Sequence, residues 1–329
     1  MSHVLLAALM ACLALPLAAQ CNGPGLEARL TAAETARIET LVAETPFAEG
    51  LYWQAEHEGR VVTLLGTIHL PDPRLRPLMS RVRPRLEAAD LLLVEATTED
   101  QAAVQAHISA NPARYTITEG PGLIERLDGP TWEAVAQAAR ARGVPPFMAA
   151  RMQPWFLSMT LAMPPCAVPA MSDGQAGLDN LILAEVEDRT PVRALEDWRV
   201  VLDLLRAGTF EDQLEALRLG LVAPGVMDAL VASMLDGYFD RRPAYSWHIN
   251  RAVGRFATGL SPGDFEAEMR AMEQALLIDR NHSWIPVIEQ AATDHDRVFA
   301  AFGAAHLIGD QGVLALLQDR GWRVTRLDR

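Results

Sequence analysis

Two histidines occupy matching positions in distant parts of the chain. Gly66-Thr67-Ile68-His69-Leu70 closes the apolar run 61–65, and Gly303-Ala304-Ala305-His306-Leu307 closes the run 298–302. A carboxylate, Glu95, closes a third run, Leu91-Leu92-Leu93-Val94. Two imidazoles and one carboxylate supply three protein ligands to a divalent ion and leave a fourth position for water, the pattern of a catalytic rather than a structural site. Such a water ionises near neutral pH and the ion polarises a carbonyl, which together hydrolyse an acyl bond. Without a metal, the same groups offer a His/Glu general base acting on water. The bland alternative is two unrelated histidines satisfied by backbone and a carboxylate that caps a helix. A lone Gly-x-x-His says little; its repetition, with a glutamate at a third strand end, says more.

These residues need strands to carry them. Residues 51–57 and 60–66, joined by Glu58-Gly59, read as a β-hairpin whose second strand is apolar almost without alternation, as for a strand covered on both faces. Leu75, Leu78, Met79, Val82 and Leu86 then fall on one helical face. Strand, helix, strand in this order predicts a parallel pair with a crossover, so that His69 and Glu95 project at the carboxyl edge of one sheet. The glycines before the histidines are expected to permit turns. Pro191 to Glu196 reads as a short strand ending in another carboxylate, and 323–327 as the last strand. From 198 to 293 the pattern is helical, a long insertion able to cap the sheet. The fold class is α/β, with a mixed, largely parallel central sheet flanked by helices.

The apolar segment 147–163, with Met148, Met152, Met159 and Met163, is either a buried helix or an adaptable groove for a peptide or lipid. The groove reading makes the protein a non-catalytic binder. His57 is given no role, and His107, His248 and His295 read as surface residues; His282 is near enough to Arg280 in sequence to reach the same cleft.

The order of these motifs resembles the TraB/GumN family. Gly66-Thr67-Ile68-His69, Leu91 to Glu95, Gly177-Leu178-Asp179, Ala194-Leu195-Glu196, Arg280-Asn281 with Trp284, and Gly303 to Leu307 carry the likeness across nearly the whole chain. It implies kinship with the Tiki Wnt-inactivating metalloproteases, in which the two Gly-x-x-His histidines and the strand-end glutamate are essential. His69, His306 and Glu95 match as ligands of a divalent metal, manganese or cobalt by the resemblance and zinc by ligand chemistry. Glu95 and Arg280 match as catalytic residues. Arg280 would bind a substrate carboxylate or stabilise an oxyanion, or else serve as an ion-pair partner within the helical region. Asp179 and Glu196 would orient ligands. The activity implied is amide hydrolysis, with a peptide or small molecule as substrate; a metal-independent, esterase-like hydrolase is the other enzymatic option.

The net charge of −13 argues against a nucleic-acid partner, whose phosphates need a basic surface. Residues 4–17 form an uncharged apolar run followed by Pro16-Leu17-Ala18-Ala19, which reads as a signal peptide, residues 1–19, ahead of a single domain, 20–329. The run is too short for a comfortable membrane span. The expected location is therefore periplasmic or secreted, with no stable membrane insertion after cleavage. Cys21 and Cys166 then form a matched pair, a candidate disulfide in an oxidising compartment or else two free thiols.

Overall fold

A computed structural model describes residues 21–186, 189–223, 225–256 and 261–328. The expected signal peptide lies outside the described residues. Six strands form one sheet: β1 (Tyr52–His57), β2 (Arg60–Thr67), β3 (Leu91–Val94), β4 (Val192–Ala194), β5 (Arg297–Gly303) and β6 (Arg323–Arg326), in the order β4-β3-β5-β2-β1-β6. β5 runs parallel to both β2 and β3, β4 runs parallel to β3, and β1 opposes its two neighbours. The β1–β2 turn places Glu58 at φ 50° and Gly59 at φ 81°, the two left-handed residues of a tight hairpin.

The expected β2–β3 pair is not formed. β5 lies between them, from the far end of the chain. Its run Val298 to Phe302 is buried on both faces and belongs in the sheet's middle, whereas β2 and β3 meet it from either side. Chain proximity favours pairing but does not decide it; the apolarity of β5 does.

Side-chain alternation divides the core into two layers. Val62, Leu64, Leu91, Leu93, Val298, Ala300 and Phe302 face one way, against the helices Val226–Phe239, Asp279–Asp294 and Val313–Asp319. Leu65, Leu92, Val94, Phe299 and Ala301 face the other, against the helices Leu75–Glu87 and Leu178–Val186. A third cluster, including Leu123, Val135, Leu157, Leu161, Leu214 and Leu217, joins helices from two separate parts of the chain.

The segment 147–163 is not one helix. Pro154, at a first turn where its missing N–H costs nothing, opens a second helix, Pro154–Ala162. Trp155, Leu157 and Leu161 turn inward while Phe147, Met148 and Met159 are exposed. Cys21 and Cys166 are bridged, with Cα atoms 5.2 Å apart. Among the described residues no helix is long and apolar enough to cross a membrane. His248, expected at the surface, is buried at 8% exposure and bonds Thr45 Oγ1 through Nε2 at 2.8 Å.

Candidate active site

The register of the three central strands sets the site. Thr67 lies opposite Gly303 and Val94 opposite Ala301. His69, Glu95 and His306 therefore leave adjacent parallel strands at the same carboxyl edge, where open α/β sheets place ligands. Neither glycine of the two Gly-x-x-His units has a positive φ, contrary to the turn-permitting role expected of them. They serve close approach instead. A Cβ on Gly66 would stand 2.9 Å from Ala304 Cα and 2.7 Å from Leu307 Cδ1, so the first unit packs directly on the second. A Cβ on Gly303 would stand 3.3 Å from Glu95 Oε1 and 3.7 Å from His306 Cδ2.

His69 is exposed at the rim. Its Nδ1 lies 2.8 Å from Asp179 Oδ2, and the other oxygen of Asp179 accepts from the Thr67 hydroxyl. The loop that delivers Asp179 presses on the histidine's own backbone. Leu178 N donates to Ile68 O at 2.9 Å, and Gly177 approaches so closely that a Cβ would fall 2.2 Å from His69 O. The hydrogen bond and charge of Asp179 raise His69 to about 9.

His306 is buried beneath the rim, at 3% exposure. Its Nδ1 lies 2.6 Å from Asn281 Oδ1, its ring 4.3 Å from that of Trp284, and its Nε2 3.3 Å from Arg280 Nη1. Burial lowers it to about 4, so the ring is neutral at pH 7.

Glu95 is held between these groups. Oε1 accepts from Gly303 N at 2.7 Å and Oε2 from Arg280 Nη2 at 2.6 Å. Burial alone would raise this carboxyl, but the imidazoles, Arg280 and the Gly303 N–H together lower it to about 2. Arg280 also donates through Nε to Glu196 Oε1 at 2.8 Å and through Nη1 to Leu276 O at 3.0 Å. Leu276 belongs to a π-helical turn, Gln274–Ile278, that leads into the helix carrying Arg280; such turns recur at functional sites. Arg280 thus acts as the ion-pair partner of two strand-end carboxylates, with one edge turned to His306.

The structure brings His69, Glu95, Arg280 and His306 to one edge of the sheet, with Asp179 and Glu196 as their anchors. His282 does not join them; it bonds Gln311 Oε1. Asn281 and Thr67 were given no separate role by sequence. The sequence signal for Asn281 is its place in the Arg280-Asn281 element, which did not say what the amide does.

The donor chemistry suits a divalent ion. Each imidazole has Nδ1 held by an oxygen, Asp179 or Asn281, as in metal-ligating histidines, which leaves Nε2 as the ligating atom; that of His306 lies 3.3 Å from Arg280 Nη1. Glu95 adds an ionised oxygen ligand. As they stand, no three His, Cys, Asp or Glu side chains among the described residues are grouped at metal-ligand spacing.

A model of the TraB/PrgY/gumN family matches residues 51–326, which include all six strands of the sheet. No curated protein and no solved structure matches the chain.

Proposed function

The chain belongs to the TraB/PrgY/gumN family, and on that premise we propose that it is an exported, metal-dependent hydrolase that cleaves an amide bond in a peptide. One observation carries the reading: the two histidines and Glu95 leave three adjacent strands, each imidazole with its Nδ1 side anchored by an oxygen. His69, Glu95 and His306 are the residues that would hold the ion, of which manganese, cobalt and zinc are the candidates. When bound, the ion supplies a water ionised near neutral pH and a Lewis acid for the scissile carbonyl.

The chain's own groups do the rest. Asp179 and Asn281 fix the two rings. Arg280 keeps Glu95 ionised and in place, and its positive charge is suited to an oxyanion as it develops. The Cys21–Cys166 bridge supports export, since such bonds persist in oxidising compartments.

A second reading has its own observation. His69 raised to about 9 and His306 lowered to about 4 form a pair of oppositely perturbed titratable groups, the arrangement of a proton donor and a proton acceptor. Glu95, near 2, is too weak a base for that role at neutral pH. Peptide cleavage assayed before and after exhaustive chelation separates the two. Loss on chelation, restored by manganese or cobalt and absent in His69→Ala, supports the metal reading; turnover that survives chelation selects the acid–base pair.

A further inference from the structure

We infer that the cavity beside His69 and Glu95 receives one uncharged aliphatic side chain of a peptide, while Gln101 and Asn180 at its rim hydrogen-bond the peptide backbone. The inference rests on the peptide-hydrolase reading and specifies its substrate class. The cavity measures about 120 Å³ and opens between β3 and the helices Thr98–Ala110 and Leu178–Val186. Val94, Ala96 and Leu183 give it apolar walls.

Charge decides what can enter. Both carboxylates in the lining are already engaged, Glu95 by Arg280 at 2.6 Å and Asp179 by His69 Nδ1 at 2.8 Å and the Thr67 hydroxyl. A charged side chain would lose its water and find no free counter-ion, which disfavours burial strongly. An aliphatic side chain leaves water for apolar walls at no such cost.

The rim supplies the backbone contacts. Gln101 Nε2 donates to Asn180 Oδ1 at 3.0 Å, which leaves Gln101 Oε1 as an acceptor and Asn180 Nδ2 as a donor. Exchanging the ends of both amides still leaves one donor and one acceptor. Both residues are exposed, so the pair is reachable. A free donor beside a free acceptor matches the carbonyl and N–H that an extended peptide presents.

The test is binding, read without turnover. The full chain, with its side-chain amides isotope-labelled, is titrated with acetyl-Gly-Xaa-Gly-amide peptides in chelator and followed by NMR, with leucine, aspartate or lysine at the central position. The leucine peptide is expected to move the Gln101 and Asn180 amide signals saturably and to bind at least tenfold tighter than either charged peptide. The double variant Gln101→Ala/Asn180→Ala should bind the leucine peptide about tenfold more weakly and retain the aliphatic preference. Leu183→Trp should remove that preference; should it fail to fold, the double variant carries the test, because both its positions are exposed. Equal affinity for the three peptides, no binding of the leucine peptide, or a double variant equal to wild type overturns the inference. A protein that takes up metal and cuts amides without this preference refutes the subsite alone. Selective binding by a protein with no turnover refutes the hydrolase reading and leaves the subsite.

Discussion

Asn281 fixes which nitrogen of His306 carries the proton. Its Nδ2 donates to the Gln311 carbonyl at 2.8 Å, an acceptor that cannot donate, so its Oδ1 must be the atom 2.6 Å from His306 Nδ1. The ring is therefore protonated on Nδ1, and the Nε2 lone pair faces Arg280 Nη1 at 3.3 Å. A buried amide on one helix thus determines the chemistry of a ring on the next strand end.

Asn281→Ala removes that constraint and leaves the buried His306 Nδ1 and the Gln311 carbonyl without their partner. Metal affinity, measured by titration calorimetry, is expected to fall 10- to 100-fold, as for other partners that orient metal-ligating histidines. Stability, measured by denaturant unfolding, should fall by about 1–3 kcal/mol for the orphaned groups. Affinity equal to wild type would show that the tautomer is set elsewhere.

Arg280 neutralises Glu95 and Glu196 at the same buried point, where its side chain is 9% exposed. Arg280→Met leaves two carboxylates facing each other, and unfolding should be easier by about 3–5 kcal/mol. Adding Glu196→Gln to that variant should recover part of the loss. A double variant no more stable than Arg280→Met would mean that repulsion between the carboxylates is not the cause.

Asp179 raises His69 to about 9 from 6.5. The pairing contributes stability in full below pH 6.5, and that contribution is lost as pH rises through 9. In chelator, Asp179→Ala should return the His69 titration toward 6.5 in NMR. Gly177→Ala, which forces a methyl onto His69 O, should move it the same way and cost about 1–3 kcal/mol of stability. A titration unmoved in Asp179→Ala would exclude the pair.

Burial lowers His306 and His248 each to about 4. Above pH 6.5 both are neutral, folded or unfolded. As pH falls below 6.5 the unfolded chain binds protons that the folded chain refuses until about 4, so stability declines across that window. The decline should be on the order of 2–3 kcal/mol per histidine at its acid end. Glu95, lowered from 4.5 to about 2, adds to the decline only at its acid end, where the unfolded carboxyl begins to protonate and the folded one stays ionised. Denaturant unfolding in chelator at pH 7, 5.5 and 4 measures the slope, and His248→Gln should flatten it; an unchanged slope would contradict the assignment.

Much of this was legible in sequence for a physical reason. The runs before His69, Glu95 and His306 are continuous and apolar, which only doubly covered strands require, so the three residues were identifiable as strand-end groups. Sheet order was not legible: nothing local in Leu91 to Val94 records that β5 lies between it and β2. The glycines were recognisable as special but not for the right reason, because close packing of Gly66 on Ala304 depends on residues from the other end of the chain. Asn281, Thr67 and Gln311 act through specific hydrogen bonds, which leave no periodic trace. His248 misled because its hydrogen-bond partner, Thr45, lies 203 residues away in sequence.

The most direct test of the central claim is a calorimetric titration of chelator-treated protein with manganese. One site per chain, abolished in each of His69→Ala, Glu95→Ala and His306→Ala, is the predicted result. No binding, or binding that persists in all three variants, would contradict it.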